Sequence, residues 1–138
     1  MLRGSVAFVF VAFALATSVV GAHAAQVSVR KVEAIEGERT VVKIHLSAPL
    51  ATTPRVHLLA KSRTQPDRLA IDLPGADLHG KPARSATVGW GGVKRMRLGV
   101  PAADTARLVL DLDGPVTYDV ATDAEVVSVT LAPALRGR

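Results

Sequence analysis

Apolar and polar residues alternate with a period of two along much of the chain. Val42, Ile44 and Leu46 hold one phase of their segment, and Val41, Lys43 and His45 the other. The same pattern sets Leu69, Ile71 and Leu73 against Arg68, Ala70 and Asp72, and Leu108, Leu110 and Leu112 against Arg107, Val109 and Asp111. Met96, Leu98 and Val100 alternate with Arg95 and Arg97, and Val127, Val129 and Leu131 with Ser128 and Thr130. Successive strand residues point to opposite faces, so this period predicts antiparallel strands with one buried and one solvated side. Further strands are expected near Val27–Ala34, Arg55–Lys61 and Val116–Ala121. Between the runs lie Glu36-Gly37-Glu38, Ser47-Ala48-Pro49, Pro74-Gly75-Ala76, Gly89-Trp90-Gly91-Gly92, Pro101-Ala102-Ala103-Asp104 and Asp113-Gly114-Pro115, all turn chemistry. Short strands so punctuated predict an all-β fold, a small sandwich of two antiparallel sheets. No long segment has helical period, and one turn of helix is expected at most, over Ala102–Thr105.

Two segments repeat. PDRLAIDLPG, Pro66 to Gly75, and TARLVLDLDG, Thr105 to Gly114, place an arginine and an aspartate at the same spacing. VKIHLSAPL, Val42 to Leu50, is a weaker third copy with His45 in the aspartate's place. A strand-turn unit used twice predicts a pseudo-two-fold internal repeat, two similar halves of a sandwich covering each other's apolar face. Within one copy the arginine and the aspartate stand about 13 Å apart at 3.3 Å per residue, too far to pair. Approximate two-fold symmetry predicts crossed pairs instead, Arg68 with Asp111 and Arg107 with Asp72. On outward faces such pairs contribute only about 0–1 kcal/mol each.

The first two dozen residues follow another logic. Met1-Leu2-Arg3 is a basic start, Val6 to Val20 an apolar run, and Ala22-His23-Ala24 an A-x-A site. That order predicts a cleavable secretory signal peptide over residues 1–24, its apolar run short for a membrane span. The mature chain is then a domain over 25–135 with a short basic tail, 136–138, and no membrane span. The sequence contains no cysteine, which excludes disulfides and thiolate metal sites and leaves the core to hold by packing. Without Arg3 the chain keeps sixteen basic against twelve acidic side chains, a net charge of +4. A mild positive excess suits anionic partners. After export, nucleic acid is not expected among them.

Candidate chemistry is sparse. Asp72 and Asp111 could be read as a glycosidase pair, which needs carboxyl groups roughly 5–9.5 Å apart with one kept protonated. Each follows an arginine on its own strand face, which favours the ionised form. His45, His57 and His79 are isolated and lack metal-ligand spacing, so solvated histidines and no metal are expected. There is no nucleophile motif and no phosphate-cradling loop, and Gly91-Gly92 reads as a hairpin turn. The remaining candidate is Gly89 to Arg97. Trp90, between glycines, either lies exposed in a loop where it can stack on a sugar or folds in as a cap over the sandwich. Lys94, Arg95 and Arg97 beside it could meet carboxylates.

Taken in order, these segments resemble the AMIN domain. Pro66 to Gly75 is similar to that family's P-D-R-hydrophobic-x-hydrophobic-D-hydrophobic-x-G segment. Val93 to Gly99 resembles its next strand, and Thr105 to Leu112 the one after; the resemblance covers nearly all of Gln26 to Pro133. It implies a two-sheet sandwich, exported to the periplasm, that binds peptidoglycan without catalytic residues or cofactors. The family domain precedes a cell-wall amidase or a type IV pilus secretin; this chain stops at Arg138 and is expected to act as a stand-alone module. Candidate peptidoglycan contacts are Trp90, Lys94, Arg95, Arg97, Arg68, Asp72, Arg107 and Asp111. The alternative is a periplasmic adaptor for a pilus or secretin assembly, docking through a sheet edge.

Overall fold

A computed structural model describes residues 26–134, so the expected signal peptide and most of the tail lie outside the described residues. Ten strands follow one another: β1 (Val27–Ile35), β2 (Thr40–Leu46), β3 (Arg55–Leu59), β4 (Arg68–Pro74), β5 (Ala76–Asp77), β6 (Ser85–Trp90), β7 (Val93–Ala102), β8 (Thr105–Leu112), β9 (Val116–Asp123) and β10 (Val126–Pro133). They form two five-stranded sheets, ordered β5-β1-β2-β10-β9 and β3-β4-β8-β7-β6. All pairings are antiparallel except the short β1–β5 contact. The described residues contain no helix, and so none long and apolar enough to cross a membrane.

Each alternating run puts its aliphatic phase between the sheets, except that Val100, expected inside with Met96 and Leu98, is exposed where β7 runs past the end of its pairing with β6. Val42, Ile44, Leu69, Ile71, Leu73, Leu108, Leu110, Val127 and Val129 are fully buried in the interior, and Leu112 and Leu131 nearly so. Removing a Leu or Ile side chain from water stabilises the fold by about 1.5–3 kcal/mol, and no disulfide is needed to hold these layers.

The expected turn of helix at Ala102–Thr105 is absent. β7 runs to Ala102, which pairs with Thr105, leaving a two-residue turn. Four residues cannot recover the cost of nucleating a helix when the flanking ladder continues to their edges. Pro101 is tolerated because this end of β7 reaches beyond its contact with β6, at a register irregularity where a missing N–H is harmless.

The repeat is arranged differently from expectation. The two Arg/Asp copies, β4 and β8, do not sit in separate halves; they are neighbours in one sheet. Their antiparallel register sets Arg68 opposite Asp111, Ala70 opposite Val109 and Asp72 opposite Arg107. A pseudo-two-fold does relate the sheets, through other strands: β1, β2, β10 and β9 occupy the places of β7, β8, β4 and β3. Val29-Arg30-Lys31-Val32 and Val93-Lys94-Arg95-Met96 both carry a one-residue bulge. Val29 pairs with Leu46 and Lys31 with His45, as Val93 pairs with Leu112 and Arg95 with Asp111. In each case the extra residue shifts the phase, so that two consecutive basic side chains avoid the core.

Candidate functional site

The outer face of the β3-β4-β8-β7-β6 sheet gathers most of the charged candidates. Residues opposite one another in an antiparallel ladder share a face, and three rows result. Leu59, Arg68, Asp111, Arg95 and Thr87 form the first; His57, Ala70, Val109, Arg97 and Ser85 the second; Arg55, Asp72, Arg107 and Gly99 the third. Five arginines stand there against two aspartates, an excess of three positive charges.

The aspartates are not exposed. Asp72 is 7% and Asp111 3% accessible, each lying beneath guanidinium groups. Arg107 donates to Asp72 twice, from Nε to Oδ1 at 2.6 Å and from Nη2 to Oδ2 at 3.0 Å. This expected crossed pair therefore forms. The bidentate bond from Arg107 holds the Asp72 carboxyl below the usual carboxylate range against the opposing effect of burial, and raises Arg107 in turn. The second crossed pair does not form. Arg68 faces Asp111 across the ladder, yet Arg95 Nε and Nη2 donate to Asp111 Oδ2 at 3.2 and 3.1 Å, and Arg97 Nη2 to Oδ1 at 2.9 Å. The bulge at Lys94 aims Arg95 and Arg97 of β7 at that carboxylate, which accepts three hydrogen bonds from that side. Arg68 makes no ion pair among the described residues.

The two carboxylates are poor partners for bond cleavage. Their registers differ by four residues, about 13 Å along the strands, beyond the glycosidase range. The lowered pKa of Asp72 also removes it as a general acid.

Lys94 and Trp90 lie apart from this face. Lys94 is the bulged residue and borders a separate recess with Lys61, Asp67 and Asp113. Trp90 is the last residue of β6, half-buried, and pairs with the buried Val93, so it follows the inward side of its hairpin. The exposed-loop expectation fails because the turn is only two residues long. Gly91 and Gly92 take φ of 66° and 86°, the left-handed pair that closes a two-residue hairpin. Thr40, buried at the start of β2, donates to the Gly91 carbonyl at 2.8 Å, tying this hairpin to the opposite sheet. A side chain at Gly91 would run into Thr40 Oγ1.

The histidines each lie beside a carboxylate rather than alone in solvent. His45 Nε2 is 2.7 Å from Glu33, His57 Nε2 3.4 Å from Asp72, and the exposed His79 3.2 Å from Asp77. Glu33 and Asp77 are both lowered in pKa, chiefly by hydrogen bonds from His45 and Ser28 respectively. Among the described residues no three His, Cys, Asp or Glu converge as metal ligands.

The AMIN domain family model matches residues 41–132. The chain belongs to the AMIN domain family. The match begins inside β2, so the domain's first strand and its bulge lie before the matched part. No curated protein and no solved structure matches the chain.

Proposed function

We propose that this AMIN domain is a non-catalytic peptidoglycan-binding and localisation module of the periplasm, with the outer face of the β3-β4-β8-β7-β6 sheet as its wall-contacting surface. AMIN domains bind peptidoglycan in amidases and secretins, which supports the ligand class. The observation that carries the choice of face is its excess of three positive charges over buried aspartates. Peptidoglycan is a repeating polymer whose peptide stems bear carboxylates, and many weak contacts to it give retention through avidity. The basic, apolar, A-x-A start of the sequence supports delivery to the periplasm.

Binding to purified peptidoglycan sacculi tests this. The mature chain is expected to sediment with sacculi in the absence of other proteins, and less so as salt rises. Failure to sediment at low salt would overturn the reading. Trp90→Ala, assayed in parallel, separates the roles of the hairpin: unchanged sedimentation with a lowered melting temperature assigns Trp90 to the cap over the sandwich. An adaptor for a pilus or secretin assembly is the second reading, favoured by the eight-residue edge strand β9, which has one neighbour among the described residues. It requires sedimentation to depend on an added partner.

A further inference from the structure

Three buried side-chain atoms among the described residues lack a hydrogen-bond partner: Arg68 Nε, Arg97 Nε and Asp77 Oδ2. Two of the three belong to arginines that flank one groove. An open depression of about 430 Å³ runs over Val109 between Arg68, Arg97 and Arg107, and continues past Gly99 to Pro101. Its three cations are not equivalent. Arg107 is held by Asp72 and Arg97 by Asp111, whereas Arg68 has no carboxylate among the described residues. The unpaired Nε atoms are themselves enclosed, so a ligand in the groove meets the other guanidinium donors, and Arg68 is the arginine whose donors face no carboxylate among the described residues.

We infer that this groove binds a carboxylate of the wall's peptide stem, with Arg68 as its principal contact, and does not bind the sugar strand. The inference rests on the wall-binding reading above and names the group recognised. Four features support it. A planar guanidinium matches a carboxylate in a two-point fork. Val109 and Pro101 provide an apolar floor suited to the short aliphatic side chains of a peptide. Gly99 leaves the far end open, since a Cβ there would meet nothing within 4 Å. Finally, none of the residues forming the three rows of this face is Phe, Tyr or Trp, the one ring there being the His57 imidazole beside Asp72, and the half-buried Trp90 follows the other side of its hairpin. A groove whose lining includes no Phe, Tyr, Trp or His, but includes a guanidinium without an ion pair among the described residues, favours the charged peptide over the sugar.

Binding is measured on three forms of the same sacculi: intact, stripped of stem peptides by an amidase, and with carboxyl groups converted to amides. The wild-type chain is expected to bind the intact form about tenfold or more better than either of the others, as for loss of a charge-assisted hydrogen bond. Arg68→Gln is expected to lose a similar factor on intact sacculi and to distinguish poorly between intact and amidated material. Its fold is checked by circular dichroism and melting, and remains intact because Arg68 makes no ion pair among the described residues. Gly99→Val, which fills the groove and leaves every charge in place, is expected to weaken binding to intact sacculi likewise.

Equal binding to stripped and intact sacculi would overturn the inference while leaving wall binding in place. Loss on amidation with no effect of Arg68→Gln would move the carboxylate site elsewhere. Loss in Arg68→Gln with full binding by Gly99→Val would replace the groove by general charge attraction. Binding to none of the three forms would instead reject the wall-binding reading itself.

Discussion

The two outer faces of the sandwich occupy equivalent places in the pseudo-two-fold and carry opposite arrangements of charge. At the centre of one, Asp111 is gripped by Arg95 and Arg97. At the matching place on the other, His45 takes the aspartate's position, Glu33 that of Arg97, and Lys31 that of Arg95. The anion and the group that holds it have changed places. Along the rest of the β1-β2-β10-β9 face, Val126, Thr130 and Val41 stand where Arg68, Asp72 and Arg107 stand opposite, while Asp119 and Asp123 supply negative charge. With histidine neutral, Lys31 and Lys43 against Glu33, Asp119 and Asp123 leave this face one charge negative. The scaffold therefore tolerates either pattern, and the arginine layer is not required to build a sandwich. That contrast is the physical reason for assigning ligand contact to one face only.

Several substitutions can break the comparison. Asp111→Asn leaves Arg95 and Arg97 around a neutral group and is expected to cost about 2 kcal/mol, at the low end for buried pairs because both arginines are partly exposed. His45→Asn at the equivalent place is expected to cost less than about 1 kcal/mol, and urea denaturation compares them. Gly91→Ala forces a side chain into a left-handed turn and against Thr40, and is expected to lower stability by about 2 kcal/mol, read as a drop in melting temperature. Thr40→Ser, which keeps the hydroxyl, should lose far less.

On binding, Arg55→Gln with Arg68→Gln removes two positive charges from one face and is expected to weaken sacculus binding more than Arg68→Gln alone, well beyond about tenfold at low salt. Lys31→Gln with Lys43→Gln removes two from the other and should leave binding within about twofold. Equal losses would show that net charge alone governs attachment. The smallest effect is on acid stability. Asp72 has its pKa lowered in the folded state, so its contribution is complete above the unfolded value of about 3.9 and is lost as pH falls through the folded one. The melting temperatures of the wild type and Asp72→Asn should therefore differ at neutral pH and converge below about pH 4.

Much of the fold was legible as alternation. Leu69, Ile71 and Leu73, and Leu108, Leu110 and Leu112, declared their buried face by period alone, and the Arg/Asp spacing ruled out pairing within a strand. Two strands were missed for physical reasons. β5 is only two residues long, and β6, Ser85–Trp90, is an exposed edge strand of mostly small residues with a register irregularity before Trp90. The bulges have a signal in the sequence. Two consecutive basic residues between aliphatics, Arg30-Lys31 and Lys94-Arg95, break the alternation, and an extra residue is the simplest way to keep both out of the core.

What the sequence determined by itself was eight of the ten described strands and, for the clearly alternating ones, the face each buries, because side-chain direction follows from the strand period within a few residues. It also determined that Arg68 and Asp72 could not neutralise each other. Only the tertiary structure decided which arginine meets which carboxylate. That choice depends on the order of strands in the sheet, on β7 lying beside β8, and on the bulge at Lys94 that turns Arg95 and Arg97 toward Asp111. These are relations among distant segments, settled by how two aliphatic layers pack, and they leave Arg68 without a carboxylate partner among the described residues.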